Sequence, residues 1–179
     1  MVPEARLEKT EHGLVASEDG WFALNARDAR WFDRGPRGLV CVFEGEPEFQ
    51  QIGISLFVLG PGEPMSMYHW ETDQEDFLVL SGEALLIVEG EERPLRQWDF
   101  VHCPPEVSHT IVGAGSGPAA ILAVGSRTNQ FGENWGGYPF SELAMRHNAS
   151  AEHETSEPKE AYARFPARRP TRYRDGWLP

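Results

Sequence analysis

Positive charge and long apolar runs are scarce in this sequence, and each scarcity excludes a class of function. The 16 lysines and arginines are outnumbered by 28 aspartates and glutamates, which gives a net charge of −12 at pH 7. Nucleic acid is therefore excluded as the main partner, because phosphate contacts require a basic surface. The apolar runs are short, as at residues 119–124, whereas a membrane-spanning helix needs about 20 predominantly apolar residues. We expect no membrane partner.

Cysteine is scarce as well, with only Cys41 and Cys103 in the chain, and neither has the spacing of a metal site. The N-terminal residues have no apolar stretch behind their charges, so we expect no secretory signal. The expected location is the cytoplasm, where thiols are kept reduced. We therefore predict a cytoplasmic protein with two buried free thiols.

What the sequence has in abundance is short β-forming runs. The 179 residues favour a single domain, since domains typically span about 100–200 residues. Runs rich in Val, Ile, Leu and Phe, each bounded by turn residues, predict strands at residues 39–43, 52–59, 76–80, 84–88, 99–103, 109–112 and 119–124. Closely spaced strands without helical patterns between them indicate a β-sandwich or barrel. We predict an all-β core over about residues 39–126.

The flanks of this core differ from it in composition. Residues 1–38 carry several aromatic side chains, and we interpret them as an irregular arm packed on the core, although a few strands or a short helical turn both fit. In the C-terminal extension, residues 127–179, we predict an irregular loop at 128–139 and short helices at 139–145 and 158–165.

The charge is also unevenly distributed along the chain. Residues 159–179 carry 6 basic and 2 acidic side chains, against 10 and 26 in the rest. This basic tail either lies across the acidic body of its own or a neighbouring subunit, or stays solvated.

Side chains that can bind a metal cluster in two stretches of the predicted core. His69 and Glu71 are two residues apart, so on a strand they point to the same face. Glu75 follows after a turn-length gap, and His109 begins a later strand. Imidazole and carboxylate groups that converge from different strands suit a first-row divalent metal. Two histidines and a carboxylate would hold three positions of an octahedron and leave others open.

These two stretches resemble the two motifs of the cupin superfamily, a group of small β-barrel or jelly-roll proteins. The first motif is matched by Gly62, His69, Glu71, Glu75 and Gly82, and the second by residues 104–109. The resemblance covers about residues 50–125. It implies a single cupin domain, a double-stranded jelly roll, in residues 1–179. It also implies one divalent ion (Fe, Mn, Zn or Ni) held by His69, Glu71, Glu75 and His109.

The first motif departs from the family pattern at one ligand position, where Glu71 replaces a second histidine. A second register is therefore open, in which Tyr68 and Trp70 take the ligand positions and His69 points away. We prefer His69 and Glu71, because they place two competent ligands on the inner face. A cupin-like pocket without metal is the remaining alternative.

The resemblance implies a protein that binds or transforms a small organic molecule, as an oxygenase, decarboxylase or isomerase. The alternative is a non-catalytic ligand-binding cupin with a structural metal or none. Weaker site candidates are His102 as a base, Gln74 as a partner that orients Glu75, and Cys103 as a cavity-lining residue. We expect a homodimer, because the aromatic arm and the oppositely charged tail suit an exchange of segments between subunits.

Overall fold

The computed structural model describes residues 1–129 and 135–179, and strands dominate it. Seven strands lie within residues 1–81: β1 (Leu7–Thr10), β2 (Gly13–Ala16), β3 (Trp31–Asp33), β4 (Leu39–Val42), β5 (Ile52–Leu59), β6 (Trp70–Glu71) and β7 (Glu75–Ser81). Seven more follow: β8 (Glu83–Val88), β9 (Glu91–Arg96), β10 (Phe100–Cys103), β11 (His109–Ala114), β12 (Ala119–Ser126), β13 (Gly136–Gly137) and β14 (Arg169–Thr171). The helices are short: a 3₁₀ turn at Gly35–Arg37, α1 (Glu142–Met145) and α2 (Pro158–Ala161).

Two antiparallel sheets supply the main core. One has the strand order β10-β7-β12-β5-β4-β3-β14 and the other has the order β11-β8-β9. Alternate side chains from both sheets meet in one buried cluster, which includes Phe77, Val79, Leu86, Ile111 and Ile121. This period of two is the pattern expected of strands with one buried face. The prediction of an all-β, jelly-roll core is confirmed.

All seven predicted core strands are present, with ends that differ by at most two residues. The sequence did not predict β9, whose residues EERPLR are mostly charged and include a proline. It pairs with β8 through a tight turn in which Glu89 and Gly90 both have positive φ, at 47° and 77°. Such a turn fixes a hairpin whatever the polarity of the returning strand. Because β9 is an edge strand, it tolerates Pro94.

The flanks are more regular than predicted. In the arm, β1 and β2 form a hairpin, and β3 joins the large sheet, so the arm contains the few strands that the sequence left open. The basic tail lies on its own chain: β14 pairs with β3, and Tyr173 and Trp177 pack against the fully buried ring of Trp31. Trp31 of the arm therefore lies in a second hydrophobic core, which the tail covers.

The structure shortens both predicted helices. Ser141 caps α1, with its Oγ accepting a hydrogen bond from the Ala144 amide at 3.2 Å. The segment after Ala161 forms turns, so the second helix does not reach residue 165. Within the predicted loop at 128–139, Gly136 and Gly137 pair with β6 as a short strand, and residues 130–134 lie outside the described residues.

Neither cysteine forms a disulfide, and both are buried, as predicted. Burial raises the pKa of the Cys41 thiol to about 12. In the described part of the chain, no helix has the length and apolar character needed to cross a membrane.

Candidate metal centre

The two sequence motifs meet at a backbone bridge between His69 and His109. The His69 amide donates to the His109 carbonyl at 3.1 Å, and the His109 amide donates to the His69 carbonyl at 2.8 Å. This exchange of hydrogen bonds places the two imidazole rings 5.0 Å apart, measured between their centroids. His69 and His109, which are forty positions apart in the sequence, are thereby brought into contact.

Glu75 completes a compact group with these two histidines. It is the first residue of β7, where it pairs with Cys103 on β10 and with Gly125 on β12. Its Oε2 lies 3.4 Å from His69 Nε2 and 3.2 Å from His109 Nε2. The three potential ligand atoms all lie within 4.8 Å of one another. The sheet thus brings one carboxylate to face both rings.

Backbone carbonyl groups fix the orientation of both imidazole rings. His69 Nδ1 lies 2.9 Å from the carbonyl oxygen of Met67, and His109 Nδ1 lies 2.9 Å from that of Val107. Because a carbonyl can only accept, each Nδ1 must carry a proton and donate it. In the neutral ring, Nε2 then has a free lone pair, which is the arrangement found in metal-binding histidines.

On the side away from these carbonyls, ligand atoms of the group have no hydrogen-bond partner. Among the described residues, neither His109 Nε2 nor Glu75 Oε2 has a hydrogen-bond partner, although both atoms are buried. Buried polar atoms in folded proteins are nearly always paired. The imidazole nitrogens and the carboxylate oxygen, 3.2–3.4 Å apart, attract a proton or a metal ion, so the donor set is compatible with a divalent metal.

The pKa values of the three groups also indicate that this site favours positive charge on the imidazole rings and negative charge on the carboxylate. Burial on its own would lower the pKa of His69, but the carboxylates of Glu71 and Glu75 outweigh it and raise the value to about 10. Burial is likewise outweighed at His109, where contacts with Cys103 and Glu75 raise the pKa to about 9. Burial would raise the pKa of Glu75, yet the two imidazoles hold it far below its usual range.

A cavity of about 210 Å³ opens beside this group. Its wall includes Glu71, Asp73, Glu75, Arg127 and Trp135. Two of the charged groups are already engaged, since Asp73 accepts from the Asn129 amide at 2.7 Å and Arg127 pairs with Glu44 at 2.7 Å. Glu71 and Glu75 are therefore the carboxylates that the cavity presents to a ligand.

Comparison with known proteins assigns this core to a family. The model of the cupin domain matches residues 55–125, a segment that contains all or part of strands β5 to β12 and all four predicted metal ligands, His69, Glu71, Glu75 and His109. Residues 55–125 form a cupin domain. No curated protein matches the sequence.

Solved structures give the same cupin fold. A Cupin 2 conserved barrel domain protein from Salinispora arenicola is 20% identical, with 62% of this chain and 92% of that chain covered and a TM-score of 0.50. The polyketide cyclase RemF from Streptomyces resistomycificus is 15% identical, with 59% and 79% covered and a TM-score of 0.52. At these identities the likeness shows the fold alone.

A third structure, a sugar phosphate isomerase of the cupin superfamily from Silicibacter pomeroyi, is 27% identical with a TM-score of 0.46. The match covers 57% of this cupin and 62% of the isomerase. This cupin therefore spans about three fifths of the length of that protein.

We call the group formed by His69, Glu75 and His109 the cupin site. Glu71 lies at its edge. Its Oε1 is 3.4 Å from His69 Nε2, and its side chain is 27% exposed, against 18% for Glu75. It is not a member of the compact group of three. The structure thus brings together three of the four predicted ligands and places the fourth beside them, on the cavity side.

The two residues of the alternative register lie elsewhere. Tyr68 packs in a separate buried cluster with Ile87, Val112 and α1, and its hydroxyl accepts from the Gly90 amide at 3.2 Å. Trp70 is half-buried against Gly137. Neither side chain belongs to the group of ligand atoms around His69.

The weaker candidates divide between surface and core. His102 Nδ1 lies 2.7 Å from a carboxylate oxygen of Asp76, and Gln74 donates to the same carboxylate, both on the exposed side of the sheet. Neither side chain contacts the cupin site in the structure. Cys103 is buried in the main core beside His109.

Two aromatic contacts of the site were not predicted. The ring of Tyr138 stacks on His69 at 5.8 Å, and the ring of Phe77 lies 5.3 Å from His109. Phe77 is two residues from Glu75 on β7, so the strand period could have indicated it. Tyr138 follows a Gly-rich segment with no spacing relation to either motif, and no sequence signal marks it.

Proposed function

We propose that this cupin binds one divalent metal ion through His69, Glu75 and His109 and acts on a small organic molecule in the adjoining cavity. The observation that carries the proposal is the set of buried lone pairs that face one another without a hydrogen-bonding partner. Glu71 is the proposed fourth ligand.

The donor set limits the choice of metal. Imidazole and carboxylate ligands suit iron, manganese, zinc or nickel and do not include the thiolates that soft ions prefer. With Glu71 and Glu75 both ionised, a divalent ion gives a formally neutral site. When bound there, such an ion supplies a Lewis acid that can polarise a carbonyl group of the substrate.

The protein's own residues would perform the remaining tasks. Backbone carbonyls behind His69 and His109 hold the rings in register, and Tyr138 packs against one face of His69. Glu71, 27% exposed on the cavity wall, faces both the proposed ion and the cavity. An oxygenase, decarboxylase or isomerase reaction is what the cupin resemblance implies for such a site.

The competing function is a non-catalytic module that binds a small ligand. The two are separated by incubating metal-loaded protein with candidate carbonyl compounds and measuring product formation and oxygen consumption. Turnover by the parent chain that is lost in Glu75→Gln supports an enzyme. Saturable binding without turnover, in protein shown to contain metal, supports the binding module.

Glu71→Gln is expected to lower metal affinity by about tenfold, since it removes one negative charge beside the ion while keeping the shape of the side chain. Tyr68→Phe, the matched control on the other face of the same segment, is expected to leave metal affinity unchanged and to cost about 1 kcal/mol of stability through the lost hydrogen bond to Gly90. Metal titration of both variants against the parent measures the difference. The opposite ranking would place the site on the Tyr68 register.

We also retain the proposal of a homodimer in the cytoplasm. Trp98 and Phe100 are 66% and 65% exposed, and β10 is an edge strand of the large sheet. A second copy could cover such an edge. Sedimentation at micromolar concentration is expected to give twice the 20.1 kDa chain mass, and a single-chain mass would refute the dimer.

A further inference from the structure

Arg34 is a buried cation whose side chain is only partly satisfied. It directly follows β3 and is 6% exposed. One of its terminal nitrogens donates to the Met65 carbonyl at 2.7 Å and the other to the Arg37 carbonyl. Its Nε is buried and has no partner among the described residues. The guanidinium lies 4.7 Å over the ring of Phe57.

Arg37 presents a second guanidinium close by. It is half-buried, and its side chain donates no hydrogen bond to any residue in the described ranges 1–129 and 135–179. It lies over two aromatic rings, at 4.5 Å from the centre of Tyr162 and 5.4 Å from that of Phe165. Aromatic faces attract a cation but leave the in-plane N–H donors of the guanidinium free.

No acid of the described chain neutralises this pair at contact distance. No carboxylate oxygen among those residues lies within 4.0 Å of either guanidinium. Glu63 is the acidic side chain whose charge acts on Arg34, but its carboxylate accepts from the Gly60 amide at 2.7 Å. Arg127, by contrast, is matched by Glu44. Two adjacent unpaired cations stand out in a chain with a net charge of −12.

The cost of burying this charge is reflected in the pKa of Arg34. Burial, followed by repulsion from Arg37, lowers the pKa of Arg34 to about 9. A buried charge without a counter-charge is unfavourable, and pairing it with an anion relieves that cost.

Aromatic residues lie between the arginine pair and the cupin site. Phe57, which underlies Arg34, also lines the 210 Å³ cavity beside Glu75. Tyr162, which underlies Arg37, contacts Tyr138 at 5.7 Å, and Tyr138 stacks on His69. One or two aromatic rings therefore separate the guanidinium groups from the cavity and the proposed ligands.

We propose that Arg34 and Arg37 together bind an oxyanion, a phosphate or carboxylate group. This proposal does not depend on the proposed function of the metal site. The unpartnered Nε of Arg34 and the in-plane N–H donors of Arg37 can donate charge-assisted hydrogen bonds to either oxyanion.

The test is calorimetric titration of inorganic phosphate, and separately of acetate, into the full chain after chelator treatment, so that neither anion can bind a metal. The parent is expected to bind one anion per chain with saturation. Arg37→Met is expected to weaken binding at least about tenfold, because charge-assisted hydrogen bonds are lost. Arg37→Lys, which keeps the charge but not the planar fork, should be intermediate.

Arg146→Met is the matched control, since Arg146 is exposed and its loss changes the net charge equally. It should bind the anion as the parent does, and every variant should keep the parent's unfolding temperature to within a few degrees. A preference for phosphate over acetate would indicate a phosphorylated ligand, and the reverse a carboxylate ligand. Absence of saturable binding to the parent, or equal affinity in Arg37→Met, would overturn the proposal. Metal content, measured separately, tests the proposed function independently.

Discussion

His109→Ala is expected to reduce bound metal from about one ion per chain to nearly none. The change removes one of three ligand atoms that lie within 4.8 Å of one another. It also leaves Glu75 facing a single imidazole, and the three groups that remain, His69, Glu71 and Glu75, are expected to hold an ion too weakly to survive purification. Elemental analysis of protein purified without chelators measures the outcome.

The matched control is His102→Ala. His102 is also a strand histidine paired with a carboxylate, but its side chain is 51% exposed and its partner is Asp76. It should retain the full metal content of the parent. In the parent, removal of the metal should lower the unfolding temperature, because an ion that binds only the folded state stabilises it by about 2.7 kcal/mol at one hundred times its dissociation constant. Full occupancy in His109→Ala would contradict the ligand assignment.

Arg127→Met is expected to destabilise the fold by about 3–5 kcal/mol, since breaking one partner of a buried ion pair leaves the other charge uncompensated. Arg127 donates to both carboxylate oxygens of Glu44, at 2.8 and 2.7 Å, and to the Phe49 carbonyl at 2.6 Å. The Glu44 side chain is only 7% exposed. Denaturant unfolding of the variant and the parent measures the loss.

Arg93→Met is the matched control, because it removes one partner of an exposed ion pair. Arg93 pairs with Glu91, but both side chains are more than 60% exposed, so less than about 1 kcal/mol should be lost. The double variant Glu44→Gln/Arg127→Met should be more stable than Arg127→Met alone, because the buried charge is removed with its partner. Equal losses at the two arginines would show that the Glu44 pair contributes no more than a surface contact.

Much of the core could be predicted because its strands obey a simple period. In β7 and β12, apolar residues alternate or run continuously, and turn residues mark the ends, so both existence and position follow from the sequence. In β9 the same signal is absent, since its residues are charged and only Leu95 is buried. The Glu89-Gly90 turn, rather than composition, makes it a strand.

The candidate site was predictable to the same extent. The spacing of His69, Glu75 and His109 predicts their convergence, because strand pairing fixes which residues face one another. The carbonyl contacts that orient the two rings depend on the path of the main chain at Met67 and Val107, which no spacing rule contains.

The contacts made by residues of the flanks could not be predicted from the sequence, for a different reason. Arg34, Arg37, Tyr138 and Tyr162 lie in segments with irregular or short elements, where neither a period of two nor a period of 3.6 applies. Their neighbourhood arises only when the arm and the C-terminal extension fold onto the core. Tertiary contacts of this kind leave no pattern in the local sequence.

The most direct test of the metal site is an anomalous difference map from crystals of protein purified without chelators, recorded at the absorption edges of iron, manganese, nickel and zinc. The account predicts one strong peak at about 2.0–2.2 Å from His69 Nε2, His109 Nε2 and a Glu75 carboxylate oxygen. A map without a peak among these atoms, from protein that elemental analysis shows to carry a stoichiometric metal, would place the ion elsewhere and contradict the assignment.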